Sequence, residues 1–235
     1  MNLIEHSIHL ANRELPPPVV FVVDDDICVR EGLRSLISSA GWLVETCSSA
    51  EEFLSKGRPA SPSCLLLDLA LPGQTGLDLQ NRIADRIETP IIFMSGFGDV
   101  PTTVKAMKAG AVEFLTKPFC ATAVLKVIEQ ALDRSRETLS RLTSRRELER
   151  RYISLSQRER EVMTLVALGK LNKQVGADLG ISEITVKAHR GRMMRKMGVR
   201  SLAHLMNIIE SLKPMLTGGS ISTAANDHSG WRSLN

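Results

Sequence analysis

Residues 64–76 read CLLLDLALPGQTG, and within them CLLLD (64–68) is a continuous, Leu-rich apolar run that ends on an acid. Such a run has the character of a strand buried on both faces, as in a parallel sheet covered by helices on either side. Four more strand candidates flank it, several of them likewise continuous and β-branched or Leu-rich: VVFVVD within 18–24, after Pro18, then WLVETC (42–47), PIIFMS (90–95) and VEFLT (112–116). Between them lie the helical patterns VREGLRSLISSAG, SAEEFLSKG, GLDLQNRIADRI and VPTTVKAMKAG. Glu51 and Glu52 follow Ser49, as suits a first helical turn, and Gly41, Gly57 and Gly110 stand where helices should stop. Strict βα alternation predicts an α/β, doubly wound, five-stranded parallel sheet.

The pattern changes after Ala121. ATAVLKVIEQALDRSRETLSRLTSRRELERRY contains no Gly or Pro; Val124, Val127 and Ile128 fall at helical spacing and can pack on the sheet. Beyond Ala131 come Arg134, Arg136, Arg141, Arg145, Arg146, Arg150 and Arg151, read as the solvated face of a helical or partly frayed linker. Residues 155–212 hold four short helical patterns and no strand candidate. The remainder, TGGSISTAANDHSGWRSLN, is polar and glycine-rich.

Charge divides the chain in the same way. Residues 1–120 hold 10 Lys/Arg and 15 Asp/Glu, net −5, while residues 121–235 hold 20 and 11, net +9. The basic half suits a polyanion, with nucleic acid the first candidate. No apolar run approaches the ~20 residues that span a bilayer. The N-terminal MNLIEHSIHLANRELPPP has acids and histidines where a signal peptide needs an apolar stretch. The expectation is a cytoplasmic protein without a membrane partner. Cys28, Cys47, Cys64 and Cys120 form no C-x-x-C pair and read as free thiols.

Reactive residues stand at the strand ends: Asp24, Asp25 and Asp26 after the first, Asp68 at the third, Ser95 at the fourth and Lys117 after the fifth. In an open parallel sheet the ligand site lies outside the carboxyl ends of the strands. Converging carboxylates need a cation, and oxygen donors suit Mg²⁺. A carboxylate beside Mg²⁺ can attack a phosphoryl group, with a hydroxyl and a lysine binding its oxygens. Asp26 reads as the cap of the helix that follows.

The motifs VVDDD, LLLDLALPGQTG, FMSGFGDV and EFLTKPF, in this order over about residues 18–130, resemble the receiver (CheY-like) domains of two-component response regulators. The resemblance implies phosphorylation on Asp68. It implies Mg²⁺ held by Asp24, Asp25, Asp68 and the main-chain carbonyl of Ala70. Ser95 and Lys117 would bind the phosphoryl oxygens, Pro118 would follow a cis peptide, and Phe114 would be the aromatic switch residue. Leu71 stands where many receivers have Met. Phe97 is bulkier than its usual counterpart and could shield the acyl phosphate.

In the basic region Val162, Leu165, Val166 and Leu168 fit one buried helix face. Asn172 can cap a second helix, Gly180 ends it, and Ser182 caps a third that carries Lys187, His189, Arg190, Arg192, Arg195 and Lys196. Two helices joined by a short Gly turn, the second basic, describe a helix-turn-helix. LSQREREV, GKLNKQVGADLGIS and TVKAHRGRMMRKMGVRS resemble the LuxR-type helix-turn-helix. Its union with a receiver resembles the FixJ/NarL subfamily, and the receiver leans to the FixJ side. Glu159 would bond within the helical core, and Lys173 and Thr185 would bind phosphate. Lys187, Ala188 and Gly191 share a face that would enter the major groove, and Arg190 would contact phosphate.

The expectation is therefore a receiver over 18–132, a helical linker over 133–152, a LuxR-type helix-turn-helix over 153–212, and disordered tails at 1–17 and 213–235. Its function would be phosphorylation-dependent activation of transcription. A sensor histidine kinase, promoter DNA bound through helix 182–197, RNA polymerase and a second phosphorylated copy would be the partners. A haloacid-dehalogenase-type phosphatase also uses a strand-end Asp, but needs a second acid two residues on, where this chain has Ala70. A receiver that serves only for docking is the other alternative.

Overall fold

The computed structural model describes residues 16–96 and 100–218, with side chains to residue 212. The chain divides into two units, Met1–Leu142 and Thr143–Asn235, each described by itself. Phe97, and the expected tails apart from residues 16–17 and 213–218, lie outside the described residues.

In the first unit, β1 (Val19–Val23), β2 (Leu43–Cys47), β3 (Ser63–Asp68), β6 (Ile91–Ser95) and β7 (Glu113–Thr116) form one sheet in the order β2-β1-β3-β6-β7. Every pairing is parallel. This is the doubly wound sheet expected from the apolar runs. The two-residue strands β4 (Ala70–Leu71) and β5 (Gln74–Thr75) pair as a small hairpin too short to leave a periodic signal.

Strand residues alternate between two cores. Phe21, Val23, Leu65, Leu67 and Phe93 face α2 (Ala50–Ser55), α3 (Gly76–Arg82) and α4 (Val100–Lys108), represented by Phe53, Leu79 and Ala106. Val20, Val22, Cys64, Leu66 and Met94 face α1 (Ile27–Ser39) and the first part of α5 (Ala121–Ile153), through Leu33, Ile37, Val124 and Ile128. Continuous apolar strands arise because both faces are covered. Ser135 is a polar residue inside this packing. Its hydroxyl accepts from the Ser63 N–H at 2.9 Å and donates to the Glu88 carbonyl at 2.5 Å, so its burial leaves no bond unmade.

Local chemistry sets the helix ends. Asp26 accepts from the Cys28 N–H and caps α1, and Ser49 caps α2 by accepting from Glu52 N–H. Gly41 and Gly110 adopt φ of 84° and 96°. Gly57 stands at the same offset, just past the end of α2 at Ser55, where Lys56 is already extended. GLDLQNRIADRI is shorter as a helix than its pattern. It stops at Arg82, and Ile87 is exposed.

The second unit is helical: α6 (Gln157–Ala167), α7 (Asn172–Leu179), α8 (Glu183–Met197) and α9 (Leu202–Gly218). Leu155, Val162, Val166, Val175, Val186, Met193, Met197 and Leu205 are buried together. Three readings are corrected. Leu168 is 55% exposed, because it caps α6 rather than continuing its buried face, and Met163 is buried instead. Asn172 does not cap α7. It is the first helical residue, and Gln174 closes the helix start by accepting from Leu171 N–H at 2.8 Å. α9 continues to Gly218, past the expected end at 212. Gly180 at φ 66° makes the turn between α7 and α8, and Ser182 caps α8 by accepting from Thr185 N–H.

Candidate functional site

The strand register assembles the acidic site. Val23 lies opposite Leu67, which brings Asp24, one residue on, beside Asp68. Asp68 pairs with Met94, and Ser95 with Thr116, which brings Ser95 and Lys117 to the same edge. The chain runs from β1 to β2 on one side and then to β3 on the other. The β1/β3 junction is therefore the switch in strand order where parallel sheets hold ligands.

Asp24 is fully buried, Asp68 is 6% exposed and Asp25 is exposed. One carboxylate oxygen from each of the three lies within 4.8 Å of the others. The Lys117 ammonium donates to Asp24 Oδ2 at 2.7 Å and to Asp68 Oδ2 at 3.2 Å. Its backbone N–H donates to the Ser95 carbonyl at 2.7 Å, and the Lys117–Pro118 peptide is cis. Burial pushes the Asp68 carboxyl up from its ordinary value; Lys117 pulls against this, and the Asp24 charge adds to it. Burial alone would draw the Lys117 ammonium down, but Asp24 and Asp68 outweigh it and hold it above its ordinary value.

Ser95 is buried at the end of β6, and Phe114 is half-buried against the core that holds Phe93. Ala70 follows two residues after Asp68, and its N–H lies 3.5 Å from Asp68 Oδ1. Three supporting contacts carried no sequence signal. Arg30 donates to the Asp24 carbonyl at 2.7 Å, and Asp26 N–H donates to Asp24 Oδ1 at 3.0 Å. Gly76 opens α3 so close to the Asp68 backbone that a Cβ there would overlap the Asp68 carbonyl. Only its lack of a side chain lets the two segments meet.

Three acids against one lysine leave the cluster with excess negative charge, and every donor is a hard oxygen. This set fits a divalent cation such as Mg²⁺.

The second site is the outer face of α8. Lys187, Ala188 and Gly191 are exposed there, as is Lys173 on α7. Nothing lies within 4 Å of the place a Gly191 side chain would take. Thr185 is half-buried, and its hydroxyl bonds to that of Ser182 at 2.8 Å. Lys187 reaches Glu183 at 3.1 Å, and Arg190 donates to Asn172 Oδ1 at 3.1 Å. Asn172 thus ties α7 to α8. Glu159 is buried as expected. It shares a capping box with Ser156 and accepts from Lys196 Nζ at 2.6 Å.

Comparison with known proteins agrees with both halves. Residues 20–129 match the response regulator receiver domain, and residues 153–209 match the bacterial regulatory proteins of the luxR family. The chain is 47% identical over 195 residues to Nodulation protein W of Bradyrhizobium diazoefficiens, spanning 83% of this chain and 86% of that protein. It is 40% identical over 190 residues to the transcriptional regulatory protein FixJ of Azorhizobium caulinodans, spanning 80% and 90%. A solved structure of the response regulator StyR superposes with a TM-score of 0.75 at 48% identity, covering 83% of this chain and 98% of that one.

The chain is therefore a two-component response regulator in which a receiver is joined to a LuxR-type helix-turn-helix DNA-binding domain. More narrowly, it belongs to the FixJ/NarL family, on the FixJ side. It is a transcription regulator, and its relatives are regulators rather than enzymes. A receiver implies a sensor kinase as partner, and the second domain implies promoter DNA. Among the described residues no helix is long and apolar enough to cross a membrane.

Proposed function

We propose that this regulator is switched by phosphorylation of Asp68 by a sensor histidine kinase, dimerises in that state, and activates transcription in the cytoplasm by binding promoter DNA and engaging RNA polymerase. The receiver would comprise 18–132, the linker 133–152 and the DNA-binding domain 153–212. The observation that carries this reading is the convergence of Asp24, Asp25 and Asp68 with Lys117 bonded to two of them. A receiver that served only for docking would have no use for that arrangement.

In this reading an Asp68 carboxylate oxygen attacks the phosphorus of the kinase phosphohistidine. An O–P bond forms, the N–P bond breaks, and the imidazole leaves. Asp24, Asp25, Asp68 and the Ala70 carbonyl would hold Mg²⁺, which when bound supplies charge neutralisation on the transferring oxygens. Lys117 then turns from the carboxylates to the new phosphoryl group, and the Ser95 hydroxyl donates to another of its oxygens. Phe114 responds from its half-buried position beside the core. Segment 96–120 reorders, and the exposed α4 face around Val104, Met107 and Lys108 pairs with a second copy. On DNA, Lys187, Ala188 and Gly191 read bases while Lys173, Thr185 and Arg190 contact phosphates.

The test is phosphoryl uptake from acetyl phosphate with Mg²⁺. The native chain should gain one acid-labile phosphate, and Asp68→Asn should gain none, because an amide is a poor nucleophile. Stable incorporation in that variant would remove Asp68 as the acceptor.

A further inference from the structure

The linker arginines are not equivalent. Arg136, Arg141, Arg145 and Arg150 form exposed pairs with acids three or four residues away on their own helix. Arg151 has such a pair too, with Glu147 at 3.0 Å, but its Nη1 also donates to the main-chain carbonyl of Met197 at 3.3 Å. Met197 is the last residue of α8. Its carbonyl is one of those at a helix C-terminus with no partner inside the helix, and a cation there also meets the negative end of the helix dipole.

The next residue interlocks with the same group. Gly198 takes φ 70°, and a Cβ on it would overlap the Arg151 guanidinium. Lys196 holds the same end of α8 by donating to the Ser154 carbonyl at 3.0 Å and to Glu159 at 2.6 Å. Leu148 and Tyr152 pack against the core that contains Met193 and Met197. The last turns of α5 thus form the seat of the α8 C-terminus.

We propose that Arg151 is a positioning residue for DNA recognition: by capping Met197 and filling the space over Gly198, it fixes the angle at which α8 presents Lys187, Ala188 and Gly191. This rests on the reading that α8 carries the base contacts. Lys187 lies six residues from the buried Met193. A tilt of about 10° pivoting there moves it by roughly 1.5 Å, more than the narrow distance range of a hydrogen bond tolerates.

The experiment uses the full chain at a temperature well below the melting midpoint of each variant. Binding to a selected site and to a random duplex is measured across salt for native protein, Arg151→Ala, Arg151→Lys, Glu147→Gln and Lys187→Ala. Arg151→Ala should lose about tenfold in the ratio of selected to random binding while the salt slope holds. Arg151→Lys should recover part of that ratio, and Glu147→Gln should lose a smaller share. A ratio that stays native while only the melting midpoint falls would overturn the proposal. So would a salt slope reduced by about one, which marks a direct phosphate contact. If Lys187→Ala also leaves the ratio intact, α8 is not the reader, and the base-contact reading falls together with this proposal. Thermal melting adds a separate check. Gly198→Ala should cost less in an Arg151→Ala background than in the native one, and equal costs would exclude the interlock.

Discussion

At the scale of single residues, the two functional halves both depend on ion pairs that tie distant segments together. Lys117 lies 93 residues from Asp24 and 49 from Asp68, and it compensates two buried carboxylates that would otherwise repel. Glu159 does the comparable work in the second unit. The hydrogen bond from Lys196, followed by that from Ser156 N–H, holds its carboxyl below the ordinary value. A carboxyl lowered in the folded state stabilises the fold above its unfolded value, and that contribution is lost as pH falls through the folded one. Glu159→Gln should therefore cost on the order of 1 kcal/mol at neutral pH. The gap from the native chain should close as the medium becomes acidic enough to protonate Glu159. Thermal melts of the two proteins across pH check this, and a gap that widened in acid would contradict the assignment.

At the scale of elements, the proposed function divides the contacts to DNA between α7 and α8. Lys187 has an exposed neighbour in Glu183, a pair of the sort that holds weakly in water and yields to a better partner. Lys187→Ala should lose about 1–3 kcal/mol on the preferred site and relax selection at one base pair. Lys173→Ala should weaken all sequences alike and reduce the salt slope by about one. Binding-site selection with both variants distinguishes them; a changed base preference in Lys173→Ala alone would reverse the roles. The bond between Arg190 and Asn172 adds a detail the helical pattern did not contain: the proposed phosphate ligand also braces one helix on the other.

At the scale of the whole molecule, phosphorylation should shift the population from monomer to dimer, to an extent set by differential affinity for the two states. Sedimentation with and without acetyl phosphate measures it. A monomer fraction that does not change over a wide concentration range would exclude the switch. The turns of α5 before residue 153 also contact the helical core of the second unit. Because Leu148 and Tyr152 pack on the helical core and Arg151 caps α8, a fragment 143–235 should melt at a higher temperature than 153–235. Equal midpoints would mean that the linker turns add nothing to the fold.

What was legible in the chain was local. Continuous apolar runs such as CLLLD and the helical patterns between them specified the parallel sheet, since burial on two faces leaves no room for polar alternation. The acids at strand ends were legible by residue type and place, although their partners lie far along the chain. The Ser182 and Asp26 caps were legible because each acts within a few residues of itself. Helix boundaries that depend on packing were not. Leu168 fitted the periodicity of α6 but lies outside its buried face, and Asn172 had the chemistry of a cap yet bonds to Arg190. Arg151 could not be told from its neighbours in an Arg-rich run, because its partner is the carbonyl of Met197, 46 residues on. The bridging of Asp24 and Asp68 by Lys117, the close pass of Gly76 over Asp68 and the seat of α8 all follow from strand register and helix docking. Only tertiary structure decides them, because short-range forces between groups far apart in the chain act only once folding has brought those groups together.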